Sequence, residues 1–239
     1  MNKIFRLRPA NEITIEELKN HYLWFSRPTE YSDIEDSNVL SFINNNESIE
    51  QSFKRMFNEY ERIADLSKLI GICCFTKKLP KSHLWRKFPK GHNAIVIEYN
   101  KEIIVEHLID EIGLGDCFRN VEYLPNPTLF KSYSKYDIIW NQDTNGESYK
   151  TLNEIEKDPK LLDELFLKMF TRINEKFSSQ NEARIILGGE NIPNNDKKIK
   201  GYKINIPDKS VLKIYTNSKT PKEFIKTLNE LGIKTIEIN

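Results

Sequence analysis

Gln180, Glu182 and Arg184 alternate along a stretch that begins polar, turns apolar and ends on Gly188 and Gly189. The run 183–187 reads as a strand bounded by turn chemistry at the glycine pair. On a strand, residues two apart point to one face, so an amide, a carboxylate and a guanidinium share a row with about 7 Å between neighbours. A carboxylate beside a fixed donor suits chemistry on a hydroxyl or on a developing cation. The same three residues also read as an exposed strand face with a Glu182–Arg184 ion pair, which is the commoner occurrence. The rest of the chain has to decide between the two.

Two further groups carry usable chemistry. Arg6 and Arg8 alternate in the strand-like run 3–8, which places both guanidiniums on one face. Asp33, Glu35 and Asp36 lie in an acidic loop after the aromatic strand 22–26, and loops placed by a rigid strand often carry functional groups. With Glu182 these acids make a Mg²⁺ site conceivable, with Arg184 on a phosphate, as in a metal-dependent nuclease. No lysine follows the carboxylate row on the same strand face, which counts against that reading. A third reading is a non-catalytic binding module that uses the acidic loop and the Trp85 loop as its contact surface. That second loop, 77–93, carries His83, Trp85, Arg86, Lys87 and Lys90, and is expected to move as a lid. The four histidines are scattered with no metal spacing, and no Ser-His-Asp or Cys-His set stands out.

The elements that must position these groups can be read in order. After strand 3–8, Thr14 and Glu17 resemble a capping box opening a helix over 15–20. A long amphipathic helix is expected over 49–70, then a buried strand at 72–76. Strand 94–99 is followed by a helix over 102–112 that stops at Gly113. Residues 117–124 alternate as a strand, and 128–177 is expected to be a helical insertion. Strands at 202–206 and 212–215 follow the central one. Thr220 and Pro221 open a last helix, Gly232 closes it, and 233–238 is a final strand. Neither an internal repeat nor a Gly/Ser/Pro-rich linker divides the chain. The fold class expected is α+β, one domain over 1–239.

With 239 residues, there is length for one full core. Basic and acidic residues nearly cancel at a formal net charge of +1, so no global field draws in nucleic acid or an anionic membrane. Three cysteines with no CxxC spacing give no zinc motif, and no metal is expected. No run approaches a membrane span and no signal peptide is evident, so a cytoplasmic protein with no membrane partner is the expectation.

Several blocks together resemble a widespread bacterial family, the domain of unknown function 2971. They are Phe5-Arg6-Leu7-Arg8, Leu23-Trp24-Phe25-Ser26 with Tyr31 to Asp36, Cys73-Cys74-Phe75-Thr76 with Leu84-Trp85, and Gln180 to Ile185. Ser32, Ile34, Phe177 and Gln180 depart from that family's usual Asn, Pro, Trp and Glu. The strand order is also similar to that of the ADP-ribosyltransferase superfamily, whose split β-sheet closes around NAD. That resemblance implies NAD as substrate. It implies Glu182 and Gln180 as catalytic residues, and Arg6, Arg8, Ser26, Trp85 and Arg184 as contacts to the dinucleotide. A carboxylate under the ribose would stabilise its oxocarbenium-like state more than the ground state. The acceptor, protein or nucleic acid among the candidates, is not implied. A toxin or phage-defence effector is the implied biological role. No Gly-x-Gly-x-x-Gly fingerprint is present, which disfavours a Rossmann dehydrogenase.

Overall fold

The computed structural model describes residues 3–28, 70–81, 84–85, 93–113, 118–125, 130–132, 137–143, 145–187 and 200–238. The acidic loop with Asp33, Glu35 and Asp36 lies outside them, as do residues 49–69 of the helix expected over 49–70, His83 and the glycine pair.

Strand β1 (Lys3–Pro9) leads into helix α1 (Glu12–Lys19) and strand β2 (Tyr22–Ser26). The helix starts earlier than expected. Asn11 is its cap, accepting the Thr14 N–H at 3.1 Å, while the Thr14 hydroxyl turns back to the Pro9 carbonyl at 2.6 Å. Glu17 is therefore free of capping duty. Next come β3 (Gly71–Thr76), β4 (Ala94–Asn100) and α2 (Lys101–Ile112). Asn100 caps α2, and Gly113 at φ 64° ends it as expected.

The region 128–177 is not purely helical. It contains β7 (Phe130–Ser132), β8 (Asp137–Asp143) and β9 (Gly146–Thr151), which form a separate antiparallel sheet. Helices α3 (Leu152–Glu156) and α4 (Pro159–Thr171) follow. The missed signal is Asn145-Gly146, a hairpin dipeptide whose glycine sits at φ 113°, between runs rich in β-branched and aromatic residues. Two short strands, β6 (Glu122–Leu124) and β10 (Arg172–Asn174), pair in parallel as a further two-stranded sheet.

Among the described residues, the central sheet has nine strands, mixed but mostly antiparallel. It adds β5 (Phe118–Asn120), β11 (Glu182–Leu187), β12 (Gly201–Asn205), β13 (Val211–Thr216) and β14 (Thr235–Glu237), with helix α5 (Lys222–Glu230) before the last. Its distinctive feature is at β3. One edge of β3 carries β11 from Glu182↔Thr76 to Leu187↔Gly71. The other edge is shared, by β2 at Ser26↔Ile72 and by β1 at Phe5↔Thr76. Both run antiparallel to β3, hence parallel to one another, and among the described residues they do not pair together. The sheet divides there, one branch going through β1 to β4, β13 and β14, the other through β2 to β12. One face is covered by α1, α2 and α5, whose Leu18, Leu108 and Leu228 pack on Ile4, Phe25 and Ile97. On the opposite face, Phe5, Trp85, Ala94 and Val96 form a second apolar cluster.

Candidate functional site

Side chains directly opposite each other on neighbouring strands share a face. Thr76 lies opposite both Glu182 and Phe5, Phe5 opposite Glu98, and Glu98 opposite Lys213. Glu182, Thr76, Phe5, Glu98 and Lys213 thus form one row across five strands on one face. Arg6 and Arg8 alternate with Phe5 and Leu7, so they point to the other face. The cleft expected to gather Arg6 or Arg8 with Glu182 does not form on one side of the sheet, because strand alternation separates them.

On the first face, Glu182 and Arg184 pair as their spacing suggests, but they are buried rather than exposed, at 6% and 1%. Arg184 Nε donates to Glu182 Oε1 at 3.0 Å and Nη2 to Oε2 at 3.2 Å, a bidentate grip. Its Nη1 donates to the Phe170 carbonyl of α4 at 2.9 Å. The Glu182 backbone N–H donates to the Tyr123 hydroxyl at 2.7 Å. Arg184 is therefore engaged with protein groups at every nitrogen. Gln180 does not join the row. It closes a 3₁₀ turn (Glu175–Gln180), and Asn181 at φ 45° breaks the alternation before β11 begins. Lys77 N donates to the Asn181 carbonyl at 3.0 Å, which fixes that break against the end of β3.

Ser26 shares the face of Glu182 but sits at the opposite end of β3, beside Ile72. Four residues of strand separate the two levels, about 13 Å. Trp24 lies on the same face, with its indole over Gly201, where an added Cβ would meet Trp24 Cζ2 at 2.6 Å. Trp85 is not a free lid residue. Only 7% of it is exposed, it packs with Phe5, and its indole N–H donates to the Pro80 carbonyl at 2.9 Å.

On the second face, Arg6 and Arg8 share a carboxylate that sequence reasoning did not single out. Glu17, 1% exposed, pairs with Arg6 Nη1 and lies 2.7 Å from Arg8 Nη2. Arg6 Nη2 donates to the Trp24 carbonyl at 2.9 Å, and Glu17 Oε1 accepts the Trp24 N–H at 3.3 Å. The pair thus takes up both backbone groups of a β2 residue that β1 leaves unpaired. Arg8 is the outer member, its Nε buried without a hydrogen-bond partner, and burial followed by the like charge of Arg6 holds its guanidinium below the usual range. Burial pushes the neighbouring Cys73 thiol up to about 11, so this cysteine is a neutral core residue. A sequence signal for Glu17 existed: Thr14, Glu17 and Leu18 follow helical spacing, and all three are buried.

Glu98 is a third carboxylate, 1% exposed on the central strand β4. Lys3 Nζ lies 2.7 Å from Oε1, the Tyr215 hydroxyl donates to Oε2 at 2.5 Å, and Lys213 Nζ is 3.9 Å away. Burial alone would raise its carboxyl, but the Lys3 and Tyr215 hydrogen bonds and the Lys213 charge outweigh that and hold it below the usual carboxylate range. It is visible in the sequence as a lone charge in the apolar run 94–99.

Among the described residues no group of three or more His, Cys, Asp or Glu stands together as a metal site, and no helix is long and apolar enough to cross a membrane. Compared with protein-family models, with curated proteins and with solved structures, the chain finds no match in any of the three.

Proposed function

We propose that this chain is an NAD-consuming enzyme of the ADP-ribosyltransferase type, with Glu182 as the carboxylate that meets the oxocarbenium-like ribose. The observation that carries the reading is the bidentate grip of Arg184 on a buried Glu182, on the strand that pairs with β3 where the sheet divides. A carboxylate held in one orientation away from bulk water needs no reorganisation when positive charge develops beside it. Ser26 and Trp24 share its face and supply a hydroxyl and a stacking surface near the division. Arg6 and Arg8 serve this reading differently from the sequence expectation. They hold β1 and β2 in place from behind, and Gln180 is too far off the strand row to be assigned a role. The acceptor is left unassigned among protein, nucleic acid, small molecule and water, and the resemblance implies a toxin or phage-defence role.

A second reading is favoured by one specific observation. Arg184 ties Glu182 to the Phe170 carbonyl, so the pair also works as a clamp between β11 and α4 in a binding module without catalysis. One experiment separates the two. The protein is incubated with NAD, with and without EDTA, and nicotinamide is measured for the native chain and for Glu182→Gln. Release that survives EDTA and falls by about a hundredfold in Glu182→Gln is the expected outcome, the scale for one preorganised group. Absence of release from the native chain leaves the clamp, and metal-dependent nucleic-acid cleavage would favour the nuclease reading instead.

A further inference from the structure

We propose that Lys3 and Lys213, set on either side of the buried Glu98, form a binding site for a small oxyanion of the phosphate class. Lys213 reaches this place through an irregularity of its strand. Val211 lies opposite Tyr99 and Lys213 opposite Glu98, so Leu212 is an extra residue and β13 bulges there. Bulges cost ladder pairing and re-aim a side chain, and they recur beside functional sites. Here the bulge brings an ammonium to the carboxylate face without a hydrogen bond to it: 3.9 Å exceeds hydrogen-bond length. Lys213 is nonetheless three-quarters buried, and among the described residues its ammonium donates to no protein group. Lys3 is ion-paired with Glu98 at 2.7 Å, and its side chain is 38% exposed.

The charges do not balance. Two ammonium groups face one carboxylate, and the Tyr215 hydroxyl, which donates to that carboxylate, adds no charge. One positive charge and most of the lysine donors are left for a ligand. Lysine binds phosphate as a point charge, without the bidentate geometry that the arginine fork gives to phosphate and carboxylate alike. Glu98 then anchors the two lysines a fixed distance apart and limits affinity by its own negative charge. The site lies on the Glu182 face, with Glu98 three strands from Glu182, about 14 Å at strand spacing. It does not depend on Glu182 being catalytic.

The test is calorimetric titration of the full chain with inorganic phosphate, inorganic pyrophosphate and AMP, the last separating a free anion from a nucleotide's phosphate. Saturable binding of at least one is expected. Lys213→Met should weaken it at least tenfold, Lys213→Arg should retain it, and Lys226→Met on α5 should leave it unchanged. Glu98→Gln should tighten it several-fold, a sign that a purely structural ion cluster does not give. Should Glu98→Gln fail to fold by circular dichroism, the contrast of Lys213→Met with Lys213→Arg decides alone. Absence of saturable binding, or equal binding by native chain and Lys213→Met, overturns the proposal. Glu182→Gln should bind phosphate like the native chain, so absence of nicotinamide release with anion binding intact would count against the enzyme reading only.

Discussion

The two faces of the divided sheet hold their charges in different ways. On the Glu182 face each carboxylate finds its cations on the sheet itself. Arg184 is two residues along the same strand, and Lys3 and Lys213 are on the strands flanking Glu98. These strands are already joined by backbone ladders, so the ion pairs decorate a frame that exists without them. On the opposite face Glu17 comes from a helix, and its bonds and those of Arg6 go partly to the Trp24 backbone. There the side chains stand where a ladder between β1 and β2 is lacking. The same residue types therefore do separate work: on one face they pair within a laddered sheet, on the other they hold a seam.

That contrast breaks most directly at Glu17. Glu17→Ala leaves two guanidiniums buried with no carboxylate and the Trp24 N–H with no acceptor. The expected cost is about 3–5 kcal/mol, the scale for removing one partner of a buried pair. Chemical denaturation gives the number, and amide exchange at Trp24 shows whether the seam is what loosens. Glu182→Gln, which keeps the volume and much of the hydrogen bonding, should cost clearly less, about 1–3 kcal/mol. The reverse order would mean that the seam is not the side-chain-dependent part of the fold.

A finer cut lies within the seam. Arg6→Met removes the donor to the Trp24 carbonyl and half the partnership of Glu17, and should cost about 3 kcal/mol. Arg8→Met removes an outer guanidinium whose burial and like-charged neighbour already weigh against it, and should cost under about 1 kcal/mol. Equal losses in parallel melts would show that Arg8 is as much a part of the seam as Arg6.

How far the sequence reveals this follows from the same physics. Alternation in 3–8, the apolar run 183–187, the turn at Gly113 and the Pro221 helix start are local signals, and the structure has a strand, turn or helix start at each. The pairing of Glu182 with Arg184 is equally local. Burial of that pair is not, because α4 and Tyr123, which supply its surroundings, come from residues far away in sequence. The relation of Arg6 to Glu182 is illegible for another reason. Which face a strand residue takes is set by register against a third strand, here the single Thr76 opposite both β1 and β11. Asn181 at φ 45° removes Gln180 from the row, and asparagine's tolerance of that conformation is the available warning. Glu17 resembles a capping residue only while Asn11, the better cap, is overlooked.

A last expected effect concerns pH and returns to the Glu182 face. The folded Glu98 carboxyl lies below its ordinary value of 4.5. As pH falls, the unfolded chain takes up this proton before the folded one does, so protonation favours unfolding. The stabilisation is complete above the ordinary value and is lost as pH drops through the lower, folded value. Glu98→Gln has no such proton to bind. The native chain should therefore lose melting temperature more steeply below pH 4.5 than the variant. Tyr215 gives the matching alkaline limb. Burial and its hydrogen bond to Glu98 push its phenol up to about 12, so its contribution is present below 10 and disappears as pH rises through the folded value. Tyr215→Phe should flatten that limb and, because its hydroxyl helps hold Glu98 in the charged form, also soften the acid one. Melts of the three proteins across the acid and alkaline ranges would read both limbs at once. Parallel curves at the acid end would show that Lys3, Tyr215 and Lys213 do not hold Glu98 in its charged form.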